Sequence, residues 1–353
     1  MKTTENIVKV TPTDLYNLIE TKLTKAGLKR DYASEVAKHL VYADSRGIHS
    51  HGAIRVEYYA EQLVKGGANK EPNFTFEKKG PSIGVFHGQN ASGQVVAHEA
   101  MKEAIKLAKE TGIGFVGISK LGHSGALGYY VENAAKEGMI AISLGHTDAL
   151  AIPPGGIEPM LGANPFAFAA PTIGEPIVVD MATTVQAWGK VLDARAKNEI
   201  IPDTWAVDVN GNPTTDPHAV KSLLPMAGAK GYSLMIMIDV LSGPLLGLPF
   251  GKHISPMYAS LTKGRDLGQI HIVIDPSHFT DKDKFVQDVT QMVKELNESK
   301  PAEGVEQVYV PGQLARKRQE MYAKDGIPIA KEIYDYLASD VVHSNRYDKT
   351  VIM

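Results

Sequence analysis

The residues best equipped for chemistry lie in the run Leu121-Gly122-His123-Ser124-Gly125-Ala126-Leu127-Gly128-Tyr129-Tyr130. His123 carries the side chain whose ordinary pKa is near enough to neutrality to accept a proton and return it. Glycines at 122, 125 and 128 let backbone, and with it a flat ligand, approach closely. An apolar stretch before the run and a helical pattern after it place His123 on a strand-to-helix turn, where α/β proteins hold reactive groups. The expected role is proton transfer in a dehydrogenase. The plain alternative is a histidine that only closes a turn.

A second concentration reads His49-Ser50-His51-Gly52-Ala53-Ile54-Arg55, with Tyr59 one helical turn further on. The planar guanidinium of Arg55 suits bidentate grip of a carboxylate. His49 and His51, two apart on an extended segment, would point the same way and could hold a metal. No carboxylate stands beside them at ligand spacing, so no metal is expected. A non-catalytic metal- or metabolite-binding protein using His49 and His51 remains the alternative of another class. Thr147-Asp148 follows a strand at 139–144. If that strand and the one feeding His123 are parallel neighbours, Asp148 reaches the same sheet edge, where a carboxylate orients an imidazole; capping a loop is its other use. Asp180-Met181-Ala182-Thr183-Thr184 marks a strand end entering a helix, where free N–H groups favour an anion such as a pyrophosphate. Lys230 opens the most apolar helix among small residues and suggests a phosphate or carboxylate partner. Pro311-Gly312-Gln313 joins another strand to a helix.

The elements that must position these groups fall into two textures. Helices are expected from Thr11 to Gly27, from Asp31 to Asp44 and on to Gly66-Gly67. From about residue 75, strands at 82–87, 113–119, 139–144, 166–170, 177–180, 269–274 and 307–310 alternate with helices at 92–110, 126–137, 184–198 and 281–297. An extended piece at 205–208 meets an Asn210-Gly211 turn. Helices at 313–325 and 328–339 finish the chain. This is an α/β pattern. The expected organisation is an N-terminal helical segment, 1–74, packed with C-terminal helices, 313–353, outside a cofactor-binding and catalytic core, 75–312. Gly112-Ile113-Gly114-Phe115-Val116-Gly117 matches G-x-G-x-x-G, but it leaves a helix and enters a strand, the reverse of the dinucleotide-binding order. The match is therefore accidental.

Composition narrows the partners. With 37 basic and 40 acidic residues, no basic field for nucleic acid exists, so a small-molecule substrate is expected. The absence of cysteine excludes disulfides, thiolate metal sites and cysteine nucleophiles, and suits the cytoplasm. The first residues lack the apolar core of a signal peptide. The run Leu234 to Leu248 is interrupted by Asp239, Ser242, Gly243 and Pro244 and is too short to span a bilayer; a buried helix is expected.

These markers together resemble the second-type malate/L-lactate dehydrogenase family. They are Ser50-His51-Gly52 with Arg55, the glycine-flanked His123, Gly155-Gly156 followed by Gly162-Ala163-Asn164-Pro165, Asp180-Met181-Ala182-Thr183, Lys230-Gly231 and Pro311-Gly312. They keep the family's order over nearly the whole chain. The runs 46–53, 182–195 and 201–208 are most similar to the branch that oxidises (S)-ureidoglycolate to oxalurate in allantoin breakdown; malate, lactate and sulfolactate are the alternative substrates. The resemblance implies an α/β fold with a non-Rossmann mixed β-sheet core flanked by helices and a helical domain built from both chain ends. It also implies a homodimer, and NAD in preference to NADP. By it His123 is the proton acceptor. From the chemistry of the side chains themselves, Arg55 is expected to take the carboxylate, Asp148 to orient the imidazole, and His51 and Tyr59 to meet the hydroxyl or ureido group. By the resemblance, cofactor contacts fall on Thr147, Asp180, Met181, Ala182, Lys230, Gly312, Gln313 and Leu314. Thr147 stands where relatives more often have Ser, and Gln313 where the motif often has Glu. Arg55 and His123 lie in different segments, so in a dimer they could meet across the subunit interface.

Overall fold

The computed structural model describes residues 6–347. A short strand, β1 (Ile7–Val10), precedes α1 (Pro12–Lys25), α2 (Arg30–Ser45) and α3 (Val56–Lys65). Thr11 caps α1 by accepting the Asp14 N–H at 3.1 Å, and Pro12 at the first position lacks the N–H that would go unpaired there. Leu15, Ile19 and Leu23, spaced along one face of α1, are fully buried, each contributing roughly 1.5–3 kcal/mol.

The central sheet follows with β2 (Thr75–Lys78), β3 (Ile83–Ala91), α4 (Gly93–Thr111), β4 (Ile113–Leu121), α5 (Gly128–Lys136), β5 (Ile140–Gly145), β6 (Phe166–Ala170) and β7 (Ile177–Met181). After α6 (Trp188–Lys197), β8 (Ala206–Val207) and β9 (Ser222–Leu223) pair as a small separate ribbon over Val191, Ile201 and Val220. Then come α7 (Ala229–Ser242), β10 (Leu267–Ile274), α8 (Lys282–Glu298), α9 (Gln313–Asp325), β11 (Ile327–Ala330) and α10 (Lys331–Ala338).

The sheet has seven strands in the order β2-β3-β4-β10-β5-β6-β7, with β3 and β4 parallel and every other neighbouring pair antiparallel. It is the expected mixed α/β core. β4 and β5 are not neighbours: β10 lies between them, antiparallel to both. They therefore still run in the same direction, and their C-terminal ends share one edge of the sheet. The spurious glycine motif is explained by packing. A side chain on Gly114 would strike the backbone of Ala104 in α4, and one on Gly117 would strike Leu246.

Several expectations need correction. Residues 307–310 form no strand; β10 fills the middle of the sheet instead of a strand closing its edge. The segment 328–339 is split into β11 and α10, and β11 pairs antiparallel with β1 from Ile7↔Ala330 to Val10↔Ile327. Helix α6 begins at Trp188, so a loop, not a helix N-terminus, follows Asp180-Met181. α7 is not a buried helix: Met235, Ile238, Asp239 and Ser242 face inward, while Ile236, Met237 and Val240 are 40%, 45% and 51% exposed. One buried cluster joins residues of α1, α2 and α3 to Ile327, Ile329 and Leu337. No helix among the described residues is long and apolar enough to cross a membrane.

Candidate active site

His123 lies just beyond the end of β4, and its loop is pinned from several sides. Gly122 N–H donates to Ala91 at 3.0 Å, Ser124 Oγ donates to Gln269 Oε1 at 2.7 Å, and Tyr130 Oη donates to the Ser124 carbonyl at 2.5 Å. Gln269 belongs to β10, so the central strand anchors the loop. Two glycines are required by space here. A side chain on Gly93 would land on the Gly122 and His123 carbonyls, and one on Gly125 would land on the His39 ring.

The imidazole meets Tyr59, whose Oη lies 2.7 Å from Nδ1, and Gln94 Nε2 donates to the same hydroxyl at 2.8 Å. His51 stacks on His123 with ring centroids 5.6 Å apart and planes 25° from parallel. Nε2 of His123 has no hydrogen-bond partner among the described residues and is not sealed from solvent. Protein surrounds the ring while leaving it half-exposed. Desolvation first, and then the positive charge of Arg55, push its pKa well below the usual histidine value. The ring is accordingly neutral near pH 7.

Arg55 is held at two of its nitrogens. Nε donates to the Ser50 carbonyl at 2.7 Å and Nη1 to Tyr258 Oη at 2.7 Å, leaving Nη2 without an acceptor among the described residues. A held guanidinium with one free arm beside an open imidazole nitrogen is a site for an acid that bears a hydroxyl. Both groups come from one chain, so the expectation that they could meet across a subunit interface is not needed.

The loop that brings His51 and Arg55 here depends on Asp44. Its carboxylate, buried at the end of α2, accepts the Ala53 N–H at 2.6 Å and faces His49 Nδ1 at 2.8 Å. This undoes the metal-pair idea. Residues 49–51 form a tight helical turn, not an extended segment, so His49 goes to Asp44 while His51 faces Ser50 Oγ and the His123 ring.

Asp148 also departs from expectation. It pairs with Arg265 Nη2 at 2.5 Å and accepts from the Met257 N–H at 3.4 Å, and makes no hydrogen bond to His123. Tyr59 takes the place at Nδ1. Sequence reasoning missed Gln94, Tyr258, Arg265 and the anchoring role of Asp44. Arg265 sits in the polar stretch Lys263-Gly264-Arg265-Asp266, a faint signal; Gln94 and Tyr258 had none.

The residues expected to hold a cofactor line a strip along β7. Pro311 accepts from Val178 N–H at 3.3 Å, which seats Gly312, Gln313 and Leu314 beside the strand's first half. Asp180, two residues along, accepts the Gly128 N–H at 2.8 Å. Surrounding protein pushes its pKa up to about 6 against that hydrogen bond, although the side chain keeps access to solvent. Beyond it, Thr183 Oγ1 donates to the Ala163 carbonyl at 2.8 Å, and Thr147 Oγ1 accepts the Ala163 N–H at 2.9 Å. Met226 N–H donates to Thr183 at 2.9 Å and leads into α7, where Lys230 is exposed and unpaired among the described residues. Gly162 lacks a side chain that would otherwise strike Thr147. An accessible carboxylate, the exposed apolar side chains of Met181 and Leu314, and a free lysine at a helix start suit sugar hydroxyls, flat rings and phosphate respectively.

Residues 10–338 match the model of the malate/L-lactate dehydrogenase family. A ureidoglycolate dehydrogenase (NAD(+)) from Escherichia coli strain K12 is 56% identical over 342 residues, covering 97% of this chain and 98% of that protein. Malate dehydrogenase from Pyrococcus horikoshii superposes with a TM-score of 0.87 at 35% identity, covering 99% of this chain and 97% of that one. Sulfolactate dehydrogenase from Methanocaldococcus jannaschii gives 0.88 at 35% identity, covering 94% and 95%.

Proposed function

Because this chain belongs to the malate/L-lactate dehydrogenase family, we propose that it oxidises (S)-ureidoglycolate to oxalurate with NAD as hydride acceptor. The observation that carries the reading is 56% identity to an NAD-dependent ureidoglycolate dehydrogenase across nearly the full length of both chains. The site supports it with an open imidazole nitrogen beside a guanidinium that has one free arm.

In this reading the free arm of Arg55 binds the substrate carboxylate. His123 Nε2 removes the carbinol hydroxyl proton, and it can do so when the neutral ring carries its own hydrogen on Nδ1. Tyr59 and His51 fix the ring from two sides. Asp148 holds Arg265 and so fixes the wall near Met257 and Tyr258; it takes no proton. Asp180, Met181 and Ala182, with Gly312, Gln313, Leu314, Lys230 and Thr147, would hold the cofactor, with Lys230 suited to its phosphates. Bound NAD supplies the acceptor for the hydride leaving the carbinol carbon.

The same proposal includes a homodimer, supported by the apolar outer face of α7, and work in the cytoplasm as a step of allantoin breakdown, where a chain without cysteine is at home. The reaction is tested by following NADH absorbance with ureidoglycolate, malate, lactate and sulfolactate, each with NAD and NADP. Ureidoglycolate with NAD should give the highest kcat/KM. A higher value with another acid would overturn the substrate, and no reduction with any acid would overturn the enzyme reading.

A further inference from the structure

We propose that Gln94 is a positioning residue that selects the tautomer of His123 by way of the Tyr59 hydroxyl. This rests on His123 being the proton acceptor, but it concerns which of its nitrogens carries hydrogen before substrate binds. The Tyr59 hydroxyl owns one proton and has two neighbours, Gln94 at 2.8 Å and His123 Nδ1 at 2.7 Å. With the amide nitrogen toward it, Tyr59 accepts from Gln94 and must donate to Nδ1, so the neutral ring carries its hydrogen on Nε2. That ring donates to a bound oxygen and cannot take a proton there. With the amide turned over, Tyr59 donates to the Gln94 oxygen and accepts from Nδ1–H. The lone pair then stands on Nε2, the form that oxidation of a hydroxyl requires.

Only a side chain holding both a donor and an acceptor permits the two states, and Gln94 is such a side chain, 1% exposed at the first turn of α4. Its sole hydrogen bond among the described residues is the one to Tyr59, so turning it over breaks no other contact. Gln94 lines a small cavity together with Tyr59, Gln62, Ser92 and His123. Gln94 thus acts through Tyr59 and touches no reacting atom.

The test uses the full chain labelled with 15N-histidine, with His123→Ala identifying the resonances of that ring. In Gln94→Met the Tyr59 hydroxyl keeps only His123 as a partner, so His123 should be protonated at Nε2, whereas in ionised Gln94→Glu, which only accepts, it should be protonated at Nδ1. Oxidation kcat of Gln94→Met should fall by about 10-fold or more, with NAD affinity unchanged. In a Tyr59→Phe background the same substitution should change kcat no further. The same tautomer in Gln94→Met and Gln94→Glu, or a kcat loss of equal size in the Tyr59→Phe background, would overturn the proposal. Should Gln94→Met not fold, Gln94→Glu decides alone, since a ring protonated at Nε2 in that variant would overturn the proposal. The tautomer reading needs no turnover, so a wild-type chain inactive on every hydroxy acid would sink the proposed reaction and leave this inference standing.

Discussion

His123 is suited to act as a base because its surroundings disfavour its charged form. Desolvation is the main cause, and the nearby charge of Arg55 adds to it. Replacing His123 by Ala should lower kcat at least ~100-fold while NAD still binds, as fluorescence titration would show; near-normal turnover would refute the assignment. Since the neutral ring is the active one and its pKa is depressed, kcat/KM for oxidation should hold steady as pH falls through ~6.5 and decline only well below it. An inflection at the ordinary histidine value would contradict the buried setting. His123, Arg55 and Tyr59 were legible because each sits in a short run whose neighbours explain it. The true partner of Asp148 was not, because Arg265 is 117 residues away, and the same holds for Gln94, 35 residues from Tyr59. Such pairings are set by packing of distant segments, which local spacing cannot encode.

At the scale of elements, the loop between α2 and α3 decides where Arg55 points. Asp44 binds that loop at His49 and at the Ala53 N–H, and Gly52 passes so close to its carboxyl that an added side chain would occupy the same space. Gly52→Ala should therefore displace the loop, reduce kcat/KM more than about 10-fold and cost roughly 1–3 kcal/mol of stability, read together by steady-state kinetics and urea unfolding. Full activity in that variant would show that the Asp44 contact is dispensable. Strands and helices of the core were readable from apolar periodicity, since β3, β4, α4 and α5 each bury a continuous stripe. β1 and β11, four residues each, are too short to show a period and exist because they pair with each other across the whole chain. The central place of β10 was hidden for a related reason: strand order is a long-range property, and neither of its neighbours adjoins it in sequence.

Across the whole molecule, two consequences follow from burial. His39 and His271 are 0% exposed and His146 is 3%, and desolvation lowers each pKa to about 4. In the unfolded chain each takes a proton near ~6.5, so the contribution of these rings is complete above that pH and shrinks as pH falls toward their folded values. At pH 5 each should have lost about 2 kcal/mol relative to pH 7, so the urea midpoint should drop clearly between the two. Asp44, Asp180 and Asp239, whose pKa values burial raises, work in the opposite sense, but desolvation also lowers those of His51, His98 and His123, so the histidines outnumber them. An equal midpoint at both pH values would contradict this account. The second consequence concerns α7. A helix apolar all round belongs in a core, yet Ile236, Met237, Val240 and, just beyond it, Leu245 are 40%, 45%, 51% and 56% exposed on the single chain. A two-fold partner placing the same face against this one would cover them. The helix begins beside Lys230, at one corner of the proposed cofactor strip, so a partner packed on it would also steady that corner. The wild type should therefore sediment as a dimer. Met237→Glu combined with Val240→Glu, both on the outer face, should sediment as a folded monomer with unchanged circular dichroism and weaker NAD binding. A monomeric wild type, or a double variant that still dimerises, would show that another surface or none joins the subunits.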